Sequence, residues 1–458
     1  MNEYGIPNQK ERTFTIDSNA EITYKVVEGF IQKHLNIIPF YEKMEKLYTG
    51  EHEIYDQKKK TLGKPDHRIG VNFARYVVDT ATGYFAGNAI KYNHVNESVK
   101  NKIDDFRKRN YEDDNDAELS KICDIYGLGY KLLYQDEDAE TRVAVVTPQQ
   151  GFLVFSKDVK NKPQFGVIYS ELVQALGKTR IKATVYLPDG TYIYDDVDKT
   201  LTLESEYYYS DIPMVQFVQN EEKQGRIELI WSLVNEYNGT LSEKANDVAY
   251  FADAYLKMIG VNWDNSTKQT LRDNRVILTG KPLLSTEKVD IGFLEKPNAD
   301  GTQENLLDRL EKLIYQMSMT FNSNDEKLFS SASGVALEIK MQNMKNSSLV
   351  KERKFEKALS LMYKLYFKVQ LDISDKDVWY DIEYSFNYSM PRNTKDEAET
   401  ARALSGITSK ETQLKAIPSL VPDIDQELKR IESENREDEN SRVPAEEVIG
   451  ITKEDDDS

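Results

Sequence analysis

The spacing of hydrophobic positions changes twice along the chain, and the changes divide it into three parts. Residues 17–125 carry apolar side chains at helical spacing. Ile37, Ile38, Phe40, Tyr41, Met44 and Leu47 form one face ahead of a Thr49-Gly50 stop. Residues 56–70 interrupt the pattern with glycine, proline and basic residues, and 73–85 resume it, ending near Gly87. A polar, charge-rich stretch then reaches Asp116 before another helix through Cys123. Between 142 and 209 the period falls to that of strands: RVAVVT, GFLVFS, FGVIYS, IKATVYL, TYIYD and KTLTLESEYYY, with a hairpin signal at Pro188-Asp189-Gly190. These runs predict one antiparallel sheet with a solvated face, closed by MVQFVQ at 214–219.

Helical spacing then returns in the most regular pattern of the chain. Ile227, Ile230, Val234, Tyr237, Leu241, Ala245, Val248, Ala252, Tyr255 and Ile259 share one face of a helix of about 30 residues, about 45 Å long. Short strands at 275–278 and 289–294, separated by Gly280 and Pro282, predict a small β insert. A second helix from near Gln303 aligns Leu306, Leu310, Leu313, Met317 and Phe321. Residues 322–334 break it, and a third long helix at 335–371 carries Leu337, Met341, Met344, Phe355, Leu359, Met362, Tyr366 and Val369. A β-rich strip at 379–391 follows, then two short helical patterns at 395–435, broken by Pro418 and Pro422. The expected fold class is α+β, mainly helical, with long helices around a small β insert. Helices of that length do not easily bury every face in one globule. A stalk packed against neighbouring subunits and a helical hairpin inside a monomer both fit the periodicity.

Composition narrows function more than fold. At 458 residues the chain suggests about three structural units. Its 39% hydrophobic and 10% aromatic content excludes wholesale disorder. A single cysteine, Cys123, excludes an internal disulfide framework and a cysteine-based zinc site. The N-terminus lacks the layout of a secretory signal, and the absence of an uncharged apolar run of about 18 residues predicts no membrane span. The 78 acidic against 60 basic residues leave a net charge of −18. Half of it lies from Asp423 onward, where 14 acidic and 5 basic side chains net −9 and end in a tail expected to be disordered. Such a chain cannot hold DNA by blanket phosphate neutralisation, although it can surround DNA without gripping it.

The motifs for catalysis fail on inspection. Gly177-Lys178-Thr179 resembles the end of a phosphate-binding loop, but Leu172 stands where that loop needs glycine, and a β-like run follows where it needs a helix. His34, His52, His67 and His94 lack the spacing of a zinc helix, and Glu51-His52-Glu53 reads as an exposed turn. Cys123 reads as a buried small hydrophobe and Gly127-Leu128-Gly129 as a turn or close-packing site. The run Glu112-Asp113-Asp114-Asn115-Asp116 reads as a solvated acidic loop rather than a cation site. No catalytic residue, metal ligand or cofactor is expected. Lys58, Lys59, Lys60, Lys64 and Arg68 form the clearest basic cluster, read as a mobile surface loop with DNA contact as the alternative. Arg107, Lys108 and Arg109 are expected to be neutralised by the adjoining acids. Lys340, Lys345, Lys351, Arg353, Lys354, Lys357 and Lys364 are expected to line a solvated face of the third long helix, or a channel if the chain forms a ring.

Several segments, in order, resemble the portal protein family of long-tailed double-stranded DNA bacteriophages. They are NFARYVVDTATGYFAGNAIKY (72–92) with IYGLGYKLLYQDED (125–138), and IPMVQFVQNEE (212–222) running into the long helix ELIWSLVNEYNGTLSEKANDVAYFADAYL. FSSASGVALEIK (329–340) and the segment 389–434, beginning SMPRNTKDEAETARALSG, complete the match. The resemblance implies a twelve-subunit ring at one capsid vertex, through which DNA is packaged and ejected. It implies a wing at 1–226 and 335–390, stem helices at 227–259 and 303–321, and a clip at 260–302. A tunnel loop would lie at 322–334, a crown at 391–435 and an acidic tail at 436–458.

In the tunnel loop the resemblance places Lys327, Leu328, Phe329, Ser330 and Ser331 nearest the duplex, with Gly334 permitting the turn into the next helix. The implied partners are further copies of the chain, double-stranded DNA, a terminase, a head-completion adaptor, and the major capsid and scaffolding proteins. The implied location is the virion, after assembly in the bacterial host cytoplasm. The competing readings are a head adaptor or minor head protein that forms no ring, and a packaging enzyme, which the incomplete phosphate loop disfavours.

Overall fold

The largest sheet has one face covered by helical stripes, and its strand Lys178–Leu187 shows the alternation of inward and outward side chains most clearly. The computed structural model describes residues 6–441 apart from 61–64, 176–177, 207–208, 210, 253–255, 260–275, 280–289, 294–299, 323–338, 340, 371–372, 390–393, 418–419 and 422–423. The chain separates into two units: residues 1–324 with 341–389, and residues 325–340 with 390–458.

The first unit begins β1 (Phe14–Ile16), α1 (Tyr24–Leu35), α2 (Ile38–Thr49), α3 (Phe73–Ala86), β2 (Lys91–Asn93), α4 (Glu97–Asn110) and α5 (Glu112–Tyr126). Eight strands follow: β3 (Leu128–Gln135), β4 (Thr141–Val146), β5 (Gly151–Ser156), β6 (Pro163–Ala175), β7 (Lys178–Leu187), β8 (Gly190–Asp195), β9 (Thr200–Glu206) and β10 (Met214–Val218). Then come α6 (Arg226–Ala252), β11 (Leu256–Ile259), β12 (Val276–Thr279), β13 (Asp290–Phe293), α7 (Asp300–Ser318), α8 (Gln342–Val369) and β14 (Glu383–Ser385).

The single expected sheet is two. Six strands pair in the order β1-β5-β6-β7-β8-β9, while β10-β3-β4 form a separate antiparallel sheet. β1, in a stretch where the sequence predicts no strand, joins β5 in parallel. On β7, Ile181, Ala183, Val185 and Leu187 are buried while the residues between them are half-exposed, the period-two signature of a half-buried strand. Their face meets Val27, Phe30 and Ile31 of α1 and Phe40, Tyr41 and Met44 of α2. The hairpin at Pro188-Asp189-Gly190 joins β7 to β8, pairing Leu187 with Gly190.

A second core lies between the smaller sheet and α8. Phe355, Leu359, Met362, Tyr363 and Phe367 pack with Phe217, Val215 and Leu133. The polar stretch before Asp116 is helix α4, whose Val99, Ile103 and Phe106 enter this core. Tyr111, at φ 52°, separates α4 from α5. At the other end of α5, Gly127 takes φ 88°, and a Cβ there would lie 2.1 Å from the Lys223 carbonyl. Only glycine meets both demands.

α6 and α7 pack together, with Val234 near Ile314 at one end and Lys244 paired to Glu304 at the other, so they run antiparallel. The helix expected to continue to Ile259 ends at Ala252, and Leu256–Ile259 instead forms β11, central in the sheet β12-β11-β13. Among the described residues the strip at 379–391 yields β14 alone as a strand, paired with β2. The second unit carries α9 (Thr394–Leu404), α10 (Lys410–Lys415) and α11 (Ile424–Ser441), three helices where two were expected. Ser409 caps α10 by accepting from the Thr412 amide, and Gln413 donates to the Leu404 carbonyl of α9. α11 continues past residue 435; residues 442–458 lie outside the described residues.

His34 is buried in the first core, against Phe14 and Phe152. A carbonyl can only accept, so Nε2–H donates to the Pro148 carbonyl (2.8 Å) and Tyr169 Oη–H donates to Nδ1 (2.9 Å). Burial lowers the imidazole pKa from 6.5 to about 4, against a smaller opposing effect of the Pro148 bond. Between those values the unfolded chain binds a proton that the folded chain refuses, so stability falls as pH drops through that window. The full loss is about 3 kcal/mol. Denaturant unfolding from pH 7 to pH 4 is expected to show this slope, and His34→Gln is expected to flatten it.

Candidate functional site

The stretch expected to approach DNA, with Lys327, Leu328, Phe329, Ser330, Ser331 and Gly334, lies outside the described residues. Its two borders are described, and one buried guanidinium holds both. Arg226, the first residue of α6, donates from Nη1 to the Ser318 carbonyl at the end of α7 (2.8 Å). Its Nη2 donates to Ser347 Oγ near the start of α8 (3.0 Å). Its Nε donates to Asp124 Oδ1 on α5 (2.8 Å). The other Asp124 oxygen accepts from Lys351 Nζ of α8 (2.8 Å), which also donates to Ser120 Oγ (2.8 Å) and the Ser120 carbonyl (3.0 Å). Asp124 is 0% and Lys351 1% exposed.

Lys351 therefore departs from the solvated face expected for it. Met344, Ser348, Lys351 and Phe355 follow one another at spacings of four, three and four, which puts the lysine on the buried stripe of α8. Burial pushes its ammonium pKa down, more than Asp124 raises it, because that carboxylate is shared with Arg226.

The acidic run at 112–116 is likewise not a solvated loop; it is the first turn of α5. Glu112 and Asp116, one helical turn apart, share a face and accept from Lys131 Nζ of β3, each at 2.6 Å. All three side chains are buried. Burial alone would lower the Lys131 pKa, but two carboxylates outweigh it and the ammonium is held above its ordinary value. Arg107 pairs with Asp113 and sits 3.7 Å from Asp116, the neutralisation expected of it; Arg109 pairs with Glu140 instead. Cys123, between these charges, is fully buried, and its thiol pKa is pushed up to about 12 by that burial.

The basic cluster is dispersed. Lys60 pairs with Glu243 on α6 (2.7 Å), and Arg68 is engaged by Asp66 and the Tyr55 carbonyl. Lys58 and Lys59 are exposed, and Lys64 lies outside the described residues. The chain after them is fastened to α6. The amides of His67, Ile69 and Val71 donate to Asn246 Oδ1, Ser242 Oγ and Asn238 Oδ1. Alternate amides of an extended chain repeat at about 6.6 Å and every fourth helical residue at about 6 Å, so the two ladders match. His52 is buried beside this segment, not exposed as the sequence suggested, and a Cβ on Gly70 would collide with its ring. Lys178 and Thr179 open strand β7, so no helix N-terminus faces the aborted phosphate motif. Among the described residues no group of three or more His, Cys, Asp or Glu side chains could hold a metal ion.

Breaking a buried ion pair by removing one partner costs about 3–5 kcal/mol. Asp124→Asn strands two buried cations, whereas Lys351→Met leaves Asp124 paired with Arg226 and replaces the stem of the lysine with apolar volume. Urea unfolding is expected to show the larger loss for Asp124→Asn, and equal losses would contradict the shared-carboxylate arrangement.

No curated relative matches the chain. Among solved structures it is similar to a chain from the neck of an empty GTA particle computed with C6 symmetry, at 11% identity and a TM-score of 0.46, covering 76% of this chain and 90% of that one. The family model for phage portal protein, SPP1 Gp6-like, matches residues 28–441. With that much of its length matched, from α1 through α11, the chain belongs to the SPP1 Gp6-like family of phage portal proteins.

Proposed function

We propose that the chain is the portal subunit of a phage capsid, assembling into a twelve-subunit ring whose channel conducts DNA during packaging and ejection. The family is one of structural particle components, and the reading is accordingly non-enzymatic. In this reading α6 and α7 are the stem, β11–β13 belong to the clip that meets a terminase and later a head-completion adaptor, and the second unit contains the crown. The wing joins residues 1–226 to 335–390 and faces the major capsid and scaffolding proteins. Residues 322–334 form the tunnel loop, in the virion's portal vertex after assembly in the host cytoplasm.

The observation that carries the ring is the open edge of the apolar face of α7. Leu307, Leu310 and Ile314 are buried within the chain. Leu306, Leu313 and Met317, at spacings of seven and four, form the edge of that face, with Leu306 and Met317 about two-fifths exposed. Val248 of α6, part of the long regular face read from the sequence, is 63% exposed. Apolar side chains left open along both helices of a hairpin suit burial against neighbouring copies in a closed ring. The net charge of −18 suits a channel that repels phosphates, with a few cations at its narrowest point to guide the duplex.

Native mass spectrometry with negative-stain imaging of the purified chain tests the assembly. A ring of about twelve copies with a central hole is expected. A chain that stays monomeric with its scaffold present would favour a head adaptor that forms no ring. Within rings, Lys327→Ala is expected to impair DNA packaging or retention while leaving assembly intact; unchanged packaging would sink the guiding role.

A further inference from the structure

A groove of about 450 Å³ lies between α8, β10 and the β5–β6 connection. Its floor is apolar, with Phe155, Met214 and Val218 among its lining. Leu361 of α8 stands at its wall, 43% exposed. Its rim is basic. Lys160, Lys162, Lys223, Lys354, Lys357 and Lys364 line it against two carboxylates, Asp211 and Glu221. Those two are already engaged, Glu221 by Lys354 and Asp211 by Lys368. Lys160, Lys162, Lys223 and Lys357 form no ion pair among the described residues.

Lys223 is the built element of the groove. Its backbone is held at φ 57° and its carbonyl accepts from Arg12 Nη1 (2.8 Å). Its ammonium lies 5.5 Å from the centroid of the Phe155 ring. Burial holds that amine's pKa down, at about 8, with only Glu221 acting in opposition. A half-buried cation that forms no ion pair of its own, over an apolar floor and beside the exposed Lys160, Lys162 and Lys357, is the complement of an anion attached to an apolar group.

We propose that this groove docks an acidic peptide segment of a partner protein, seating large apolar side chains on the floor and carboxylates on Lys223 and the rim lysines. Six lysines against two engaged carboxylates make the groove basic in a chain of net charge −18, and charge complementarity selects the partner. Duplex DNA fits the arrangement less well. Phosphates gain nothing from an apolar floor, and that floor is what separates this groove from a simple basic patch.

The test uses the full-length protein and a short fluorescein-labelled peptide alternating Glu with Leu, read by fluorescence anisotropy. Controls are a peptide alternating Glu with Gly and a labelled DNA duplex. Saturable binding of the Glu–Leu peptide is expected, at least about tenfold tighter than either control. Lys162→Glu with Lys357→Glu, both at exposed positions, is expected to weaken it by about tenfold or more, as is Leu361→Glu. Circular dichroism and unchanged oligomeric state check that these variants fold. Equal binding of the Glu–Gly peptide would overturn the apolar floor's role, and tighter lysine-dependent binding of the duplex would replace the peptide with nucleic acid. Wild-type affinity in the charge-reversed variant would reject the groove altogether.

Discussion

One stripe of α5 fixes the smaller sheet, α6 and α8 of the first unit against one another. Glu112, Asp116, Ser120 and Asp124 follow one another every fourth residue, and all four are buried. A helix face of that polarity cannot enter an apolar core unless each group finds a partner. Lys131 supplies it at one end, Arg226 and Lys351 at the other, and Ser120 binds Lys351 between them. The smaller sheet, the long helix α6 and the returning helix α8 are thereby fixed against a single element. Such ions add little net stability over apolar replacements, but a core containing them tolerates only arrangements that pair them.

That constraint meets a second one at α6. The polar side chains Asn238, Ser242 and Asn246 hold the extended segment from His67 to Val71, and the match of helical and extended repeats lets one face of α6 serve as a template. Phe73 and Val77 then pack directly on Ile230 and Val234. Along its length α6 is therefore bound on one side by this polar ladder and on another by a small apolar cluster. Leu306 and Met317 of α7 and Val248 of α6 stay open beside these contacts.

Much of this was legible in the sequence where the relevant interaction is local. The alternation in β7, the hairpin at Pro188-Asp189-Gly190 and the regular face of α6 depend on neighbours a few residues away. What escaped depends on partners far along the chain. The division into two sheets follows from β3, whose Gly127-Leu128-Gly129 opening and central Lys131 disguise a strand. The stripe on α5 has the spacing of an ordinary wet helix face, and only Lys131, Arg226 and Lys351 reveal that it is dry. On α7 the expected face is buried through Leu307, Leu310 and Ile314 and open at its edge through Leu306 and Met317. Periodicity finds apolar faces but not how many partners share them. The candidate residues at 327–334 rest on the family resemblance alone, since neither spacing nor the described structure bears on them.

Arg226 explains why the borders of that segment need an arginine. Three partners on three different helices, Asp124 on α5, Ser318 on α7 and Ser347 on α8, lie around one planar group. A guanidinium offers five donors in fixed directions, whereas an ammonium at the end of a flexible stem offers three without that geometry. Lysine at this position would keep the charge beside Asp124 yet lose the simultaneous hold on the end of α7 and the start of α8. The chain between them thus leaves and re-enters a rigid frame, with its two ends tied through one side chain.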